Sequence, residues 1–168
     1  IGSRKILSDI SFSVGNNEIV GLLGPNGAGK TTAFYIAAGL IFPNQGKVLI
    51  NDKDVTNQPM HARANLGLGY LPQESSLFPD LSVEKNLIGI AELLKLDEEH
   101  KIQKVEKIIN EFDLTKILQV TGRMLSGGQR RKVEIARTLI CEPKIILLDE
   151  PFAGIDPIAV EEIKELLV

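Results

Sequence analysis

The hydrophobic positions near the start of the chain predict two strands followed by a helix. Ile10, Phe12 and Val14 alternate with polar residues, which is the period of a strand with one buried face. The run 19–23 is continuously apolar and stops at a glycine, a pattern typical of a strand buried on both faces. A helix is predicted directly after it, at about 30–40.

Three more apolar runs predict further short strands. Residues 47–50 form the first, closed by the turn-forming pair Asn51–Asp52, and residues 66–71 form the second. The run 145–148 is apolar throughout and predicts another fully buried strand. Strands that alternate with helices in this way favour an α/β fold, here with a β-rich antiparallel edge at the N-terminus.

Helical periodicity dominates between Pro72 and Cys141. Two segments carry apolar residues at helical spacing, and Asp97 is the predicted N-cap of the second segment. Ser126 begins a further helix that runs to about Cys141. The apolar residues are Leu87, Ile88, Ala91 and Leu94 in the first segment and Ile102, Val105, Ile108, Ile109 and Phe112 in the second.

The last predicted helix begins at Asp156 and Pro157, a cap and first-turn pair. Its apolar residues are Ile158, Ile163, Leu166 and Leu167, and the sequence stops within it, so we expect truncation at this end. The whole pattern predicts one domain, with a core of residues 1–72 and 142–168 and a helical subdomain of residues 73–141.

Composition narrows the class of protein. The chain has 168 residues, 43% of them hydrophobic, which is enough to bury the core of one ordinary domain. The longest apolar run, 33–42, is too short to cross a bilayer, which takes about 20 residues. A single cysteine, Cys141, excludes an internal disulfide and favours a reducing compartment. The net charge of −3 argues against a protein that coats nucleic acid.

A glycine-rich loop lies between the apolar run 19–23 and the helix that follows it. The loop matches the pattern G-x-x-x-x-G-K-[ST], whose backbone N–H groups surround phosphate oxygens at a helix N-terminus. In this pattern Lys30 reaches the outer phosphates and Thr31 is a ligand for Mg²⁺. The predicted nucleotide-binding residues are Gly24, Pro25, Asn26, Gly27, Ala28, Gly29, Lys30, Thr31 and Thr32.

Two carboxylates follow the apolar run 145–148. Asp149 and Glu150 stand at the carboxyl end of a predicted strand, which is where open α/β sheets place their ligands. Together with the phosphate loop they indicate a nucleotide site, in which Asp149 holds Mg²⁺ and Glu150 polarises the attacking water.

A third motif identifies the kind of nucleotide-binding protein. The sequence LSGGQ precedes the helix that carries Arg130 and Glu134, and two glycines with a serine at a helix start form a second anion site. In this order and position the motifs resemble the ATP-binding-cassette (ABC) ATPases, whose P-loop (RecA-like) core they imply. In that family the signature closes in trans on the nucleotide of a second copy. The signature residues are Leu125, Ser126, Gly127, Gly128 and Gln129.

The resemblance assigns further roles. Gln73 is similar to the Q-loop glutamine, which contacts Mg²⁺ and the attacking water, and Asp156 is similar to the D-loop aspartate. The residues Gly154–Ile155 depart from the usual D-loop. The switch histidine is expected beyond Val168 and the adenine-stacking aromatic at or before Ile1, which implies truncation at both ends. His61 and His100 are interpreted as surface residues.

Several stretches of the chain resemble the lipopolysaccharide-export branch of the family, namely residues 19–32, 59–63, 67–74, 130–137 and 145–157. This likeness implies a homodimer bound to transmembrane permease subunits at the cytoplasmic face of the inner membrane, and it makes Phe78 a candidate for the partner groove. A buried core phenylalanine is the alternative for Phe78. The run Arg130–Lys132 is interpreted as a solvated helix face, so no direct nucleic-acid binding is expected.

The implied function is ATP hydrolysis that powers lipopolysaccharide export, with ATP and Mg²⁺ as cofactors and Glu150 and Gln73 as catalytic residues. Three alternatives stay open: the ATPase of a branched-chain amino-acid importer, a soluble ABC ATPase acting on DNA or ribosomes, and a small-molecule kinase. A small-molecule kinase would leave the LSGGQ helix unexplained. The hypothesis of a soluble ABC ATPase is disfavoured because this sequence has neither coiled-coil heptads nor a second cassette.

Overall fold

The computed structural model describes residues 6–165, and the chain divides between Leu66 and Gly67 into two compact units. The helices are α1 (Lys30–Ala38), α2 (Met60–Ala64), α3 (Val83–Ala91), α4 (Glu98–Glu111), α5 (Gly127–Ile140) and α6 (Pro157–Glu165). The strands are β1 (Leu49–Ile50), β2 (Lys53–Asp54), β3 (Leu68–Leu71) and β4 (Ile145–Leu148), with 3-10 turns at Thr115–Ile117 and Gly122–Met124. Within residues 6–165, every helix is too short or too polar to span a bilayer.

In the first unit, backbone geometry fixes the ends of α1 and of the hairpin. Gly29 and Gly39 flank α1, both with left-handed φ values of 91° and 80° that favour glycine. The hairpin pairs β1 with β2 through Asn51 and Asp52, whose φ values of 47° and 61° are those of a type I′ turn. The predicted helix, strand and turn are confirmed here.

A buried arginine that the sequence analysis missed ends α1. Arg63 of α2 is completely buried, and its guanidinium donates to the carbonyls of Ile36 and Ala37 at 2.6 and 2.8 Å. The bonds to Ile36 and Ala37 satisfy carbonyls at the end of α1. The guanidinium also donates to the carbonyls of Thr56 and Gln58. Burial lowers the pKa of Arg63. The five-residue α2 is too short to give a periodic signal in the sequence.

The prediction of strands at 10–14 and 19–23 is wrong. Neither segment is a strand, and Ile19 and Leu23 are 88% and 92% exposed. A strand needs a neighbour that pairs with its N–H and C=O groups, and in the described part of the first unit only β1 and β2 pair. These two segments therefore lack the paired neighbour that would make them strands and bury their side chains.

The second unit is built on the parallel pair β3–β4. Leu68 lies opposite Ile145, and the register continues to Leu71 opposite Leu148, as an α/β fold requires. The prediction that β4 is fully buried is wrong, since only Leu147 is buried in a strand that β3 alone pairs with among the described residues. In the core, α5 packs against β3, α3 and α4. The buried residues there include Leu71, Leu87, Val105, Phe112, Leu114, Val133, Ile135 and Ile140.

Serine and aspartate caps begin the helices of this unit where the sequence predicts them. The Asp97 side chain accepts a hydrogen bond from the N–H of His100 at the start of α4. At α6 the Asp156 carboxylate accepts from the N–H of Ala159. Helix α6 buries Ile163 and exposes Ile158, while Leu166 and Leu167 lie outside the described residues. The division into core and helical subdomain stays a prediction.

Candidate functional site

The glycine-rich loop of the first unit has the backbone of a phosphate cradle. Gly27 and Gly29 adopt φ values of 81° and 91°, which a side chain would strain. A Cβ at Gly29 would also lie 2.5 Å from the Leu7 side chain. The N-cap residue provides no side-chain cap and the first turn carries no acidic residue, so the N–H groups that begin α1 are left for an anion.

Lys30 lies at the first position of α1 and folds back over the loop. Its Nζ donates to the carbonyls of Gly24 at 2.8 Å and Pro25 at 3.1 Å. An ammonium has three N–H donors, so these bonds leave one donor for a phosphate oxygen. Thr31 and Thr32 follow on α1, partly exposed, as the loop pattern requires.

In the second unit, the structure brings Gln73 and Glu150 together although they are 77 residues apart. The Gln73 Nε2 donates to Glu150 Oε2 at 3.1 Å, and both side chains are exposed. Gln73 follows β3 and Glu150 follows β4, so the contact arises because parallel strands end at the same edge. A side-chain amide and a carboxylate at this edge can orient and polarise one water molecule.

Asp149 is the buried neighbour of this pair. It is 1% exposed, and its Oδ2 has no hydrogen-bond partner among the described residues. A buried carboxylate oxygen without a donor is costly unless a cation or water satisfies it. Glu150 has a φ of 45°, a left-handed conformation that is uncommon outside glycine and often found at functional sites.

The LSGGQ segment forms the start of α5. The Ser126 hydroxyl accepts from the N–H of Gln129 at 3.2 Å, and Gln129 Oε1 accepts from the N–H of Ser126 at 3.1 Å. This reciprocal capping box holds the first turn open to solvent, with Ser126, Gly127 and Gln129 exposed and Leu125 buried. The capping box uses the N–H groups of Ser126 and Gln129, so the donors left at this turn for an anion are the N–H groups of Gly127 and Gly128 and the proton of the Ser126 hydroxyl.

The start of α5 packs directly on the predicted D-loop. A Cβ at Gly128 would lie 2.6 Å from the Ala159 Cβ and 3.6 Å from Asp156 Oδ2. A Cβ at Gly127 would lie 3.6 Å from the carbonyl oxygen of Gly154. Gly128 therefore allows α5 and α6 to approach closely, which places Asp156 beside the signature turn.

The interpretation of Arg130–Lys132 as a solvated face is wrong for Arg131, which is 5% exposed. Residues three apart on a helix share a face, and the Arg131 guanidinium contacts Glu134 Oε2 at 3.1 Å in the interior of the unit. A buried cation needs such partners, whereas the sequence shows only a run of basic residues. The sequence does contain a signal for this ion pair, namely an arginine three residues before a glutamate on the same predicted helix.

Phe78 lies on the loop between β3 and α3 and is 54% exposed, so it is not a core residue. The buried Asn86 side chain holds this loop, accepting from the N–H of Phe78 at 2.9 Å and donating to its carbonyl at 3.0 Å. The Arg137 guanidinium lies 5.4 Å from the ring centroid of Phe78. Beside this loop is a groove lined by Ser75, Leu77, Pro79, Gly122, Arg123 and Arg130.

The family model described as "ABC transporter" matches residues 7–153, a range that contains the phosphate loop, Gln73, the LSGGQ turn and Glu150. The chain belongs to the ABC transporter family. It is 53% identical over 166 residues to the lipopolysaccharide export system ATP-binding protein LptB of Haemophilus influenzae, covering 98% of this chain and 69% of that protein. It is 48% identical to the protein of the same name from Escherichia coli K12, covering 98% and 68%.

A solved ABC transporter structure has the same fold. The cbiO1 protein of Clostridium perfringens, part of the ABC transporter complex cbiONQ, superposes with a TM-score of 0.85 at 31% identity, covering 97% of this chain and 66% of that one. The predicted family and its P-loop ATPase fold are confirmed. The predicted positions of the switch histidine and the adenine-stacking aromatic lie outside the described residues, and His61 and His100 are exposed as predicted.

Proposed function

We propose that this chain is the nucleotide-binding part of the ATPase that powers lipopolysaccharide export. The observation that carries the chemistry is the Gln73–Glu150 contact beside Asp149, on a chain that also holds a phosphate loop. The identities of 53% and 48% to two lipopolysaccharide export ATP-binding proteins support the transported substrate. They span most of this chain, so the likeness includes the stretches between the common motifs.

Binding of ATP rests on the first unit. The N–H groups of the loop and of the first turn of α1 donate hydrogen bonds to the phosphate oxygens, and the remaining donor of Lys30 adds a charge-assisted hydrogen bond. The signature turn at Ser126 supplies a second set of donors that face solvent. Because it is exposed, it is available to the nucleotide of another subunit, which supports a head-to-tail homodimer with two ATP molecules between the copies.

The residues fit Mg²⁺ as the metal cofactor. In the second unit, Asp149 offers a buried carboxylate oxygen without a donor and Gln73 offers an amide oxygen. Thr31 of the first unit is proposed as a ligand on the phosphate-loop pattern alone. In residues 6–165, no three His, Cys, Asp or Glu side chains gather as a metal site, so few protein carboxylates would hold the ion. Mg²⁺ suits such a site, since it commonly takes one or two carboxylates plus phosphate and water oxygens and neutralises the charge of the transferring phosphoryl group.

Hydrolysis then depends on Glu150 and Gln73. The Glu150 carboxylate accepts a hydrogen bond from the attacking water and polarises it toward the terminal phosphate. The Gln73 amide, already bonded to that carboxylate, fixes its orientation and holds the same water. Asp156 lies beside the signature turn, where α5 contacts α6, so we assign it the role of coupling that contact to the nucleotide bound at the turn.

The exposed phenylalanine supports a transporter role over a soluble ATPase. The Phe78 ring is half exposed, its backbone is held by the buried Asn86, and it lies beside a groove that includes two arginines, an arrangement typical of an interface anchor. We assign this groove to transmembrane permease subunits and place the chain peripherally at the cytoplasmic face of the inner membrane. The ATPase of a branched-chain amino-acid importer is the second candidate, since the family match includes transporters of other substrates.

Truncation of the Phe78 side chain tests whether the protein acts in a transporter. In the full-length protein, Phe78→Ala should weaken association with membrane subunits by about 30-fold or more, the effect of a buried interface anchor. The measurement is the amount of each polytopic subunit that copurifies from detergent-solubilised membranes, identified by mass. Phe42→Ala is the matched control, because Phe42 is 55% exposed and lies in the other unit.

The same experiment separates the candidates. Polytopic subunits that copurify with the parent and with Phe42→Ala but are lost with Phe78→Ala support a transporter ATPase docked through this groove. Equal recovery with both variants would remove Phe78 from the interface. Ribosomes, DNA or nothing in the parental sample would contradict the transporter proposal and leave the ATPase chemistry standing.

A further inference from the structure

A buried ion pair on α5 connects the two residues assigned to hydrolysis. Arg131 and Glu134 are 5% and 3% exposed, and Arg131 Nη1 donates to Glu134 Oε2 at 3.1 Å. Neither side chain faces the solvent edge where Gln73 and Glu150 lie exposed. The pair therefore has no direct contact with a substrate in this position, and its other hydrogen bonds indicate what it does.

Arg131 holds the backbone on both sides of Glu150. Its Nη2 donates to the carbonyl of Asp149 at 3.2 Å, and its Nε donates to the carbonyl of Pro151 at 2.9 Å. Glu150 itself has the left-handed φ of 45° that a non-glycine residue keeps only where the surroundings fix it. The two bonds provide that restraint, because they fix the residues immediately before and after it.

The same pair holds the backbone on both sides of Gln73. Arg131 Nη1 donates to the carbonyl of Pro72 at 2.8 Å. Glu134 Oε1 accepts from the Ser75 hydroxyl at 2.6 Å and from the N–H of Ser76 at 3.0 Å. Gln73 is thus placed between two fixed points and reaches Glu150 at 3.1 Å.

We propose that Arg131 and Glu134 are a positioning pair for ATP hydrolysis, which sets Gln73 and Glu150 relative to each other and ties both to the signature helix. The inference rests on the hydrolytic roles proposed for Gln73 and Glu150. Because α5 begins at the signature turn, a displacement of that turn passes through one helix to both hydrolytic residues. The pair acts through its hold on the backbone, so its loss should change turnover and leave ATP binding intact.

The test compares steady-state ATP hydrolysis and nucleotide affinity in the full-length protein. Glu134→Gln removes the charge opposite Arg131, and we expect kcat to fall about 10- to 100-fold, as small misplacements of catalytic groups do. The KM for ATP and the dissociation constant of a non-hydrolysable ATP analogue should stay within about twofold, since the phosphate loop belongs to the other unit. Glu111→Gln is the matched control, because it breaks the exposed Lys107–Glu111 pair on α4.

A double variant separates positioning from folding. Replacing both members of a buried ion pair by apolar residues of similar volume leaves no buried charge unpaired, so Arg131→Met with Glu134→Met should remain folded, which its denaturant unfolding transition measures. We nevertheless expect its kcat to stay as low as that of Glu134→Gln, because methionine makes none of the five hydrogen bonds that hold the flanking segments.

The outcomes distinguish this inference from the proposed function. If Glu150→Gln is slow while Glu134→Gln and the folded double variant hydrolyse ATP at the parental rate, the positioning role is overturned and the proposed function stands. If Glu150→Gln itself hydrolyses at the parental rate, the hydrolytic role of Glu150 is wrong and the inference falls with it. A slow, folded double variant with parental nucleotide affinity supports the positioning pair.

Discussion

Glu150→Gln in the full-length protein should lower the rate of ATP hydrolysis by about 100-fold or more, the usual loss when a general base is removed. The substitution exchanges the carboxylate that polarises water for an amide of the same shape. The amide oxygen still accepts from Gln73, and Asp149 keeps its buried carboxylate for Mg²⁺. ATP affinity should therefore change by less than about twofold, and the closed dimer should accumulate because hydrolysis no longer opens it.

The measurements are steady-state phosphate release, equilibrium ATP binding and the dimer fraction on size exclusion with Mg²⁺ and ATP. Glu111→Gln provides the control, because it neutralises a glutamate of α4 that forms an exposed ion pair with Lys107. A Glu150→Gln protein that releases phosphate at the parental rate would show that another group activates the water.

Lys30→Met should weaken binding of Mg·ATP by about 10- to 150-fold, the equivalent of about 1.5–3 kcal/mol for a hydrogen bond to a charged group. Methionine preserves the length of the side chain but has no donor. The loop also loses the two bonds from Nζ to the carbonyls of Gly24 and Pro25, so its conformation becomes less restricted before the nucleotide arrives. Both effects lower affinity.

Isothermal titration of the full-length protein with a non-hydrolysable ATP analogue measures this change. The matched control is Lys53→Met, which removes an exposed lysine of β2 in the same unit. Equal affinity of Lys30→Met and the parent would mean that the loop binds phosphate through its backbone alone.

The sequence predicted those parts of the fold that depend on local signals. Helix α5 begins after Ser126 because a capping box is encoded within four residues, and the turn after β1 is encoded in Asn51–Asp52. The segments 10–14 and 19–23 were predicted wrongly, because an apolar period does not reveal whether a partner strand is present. Pairing is a tertiary property, whereas periodicity is local.

The residues of the candidate site also fall into two groups, those that local motifs predict and those that only the fold reveals. The partly exposed Lys30 and the exposed Glu150 belong to short sequence motifs whose residue types indicate their chemistry. The supporting residues were missed because a buried Arg131 and a partly exposed Arg130 look alike in sequence. Only the fold shows that Arg131 reaches carbonyls on two strand ends.

The central claim is that ATP hydrolysis by this protein moves lipopolysaccharide. The most direct measurement reconstitutes the full-length protein, with the membrane subunits that copurify with it, into vesicles that contain lipopolysaccharide. We expect addition of Mg·ATP to release lipopolysaccharide from the bilayer in the parental complex but not in the Glu150→Gln complex. ATP-driven uptake of a branched-chain amino acid, or ATP hydrolysis without any loss of lipopolysaccharide from the vesicles, would contradict the claim.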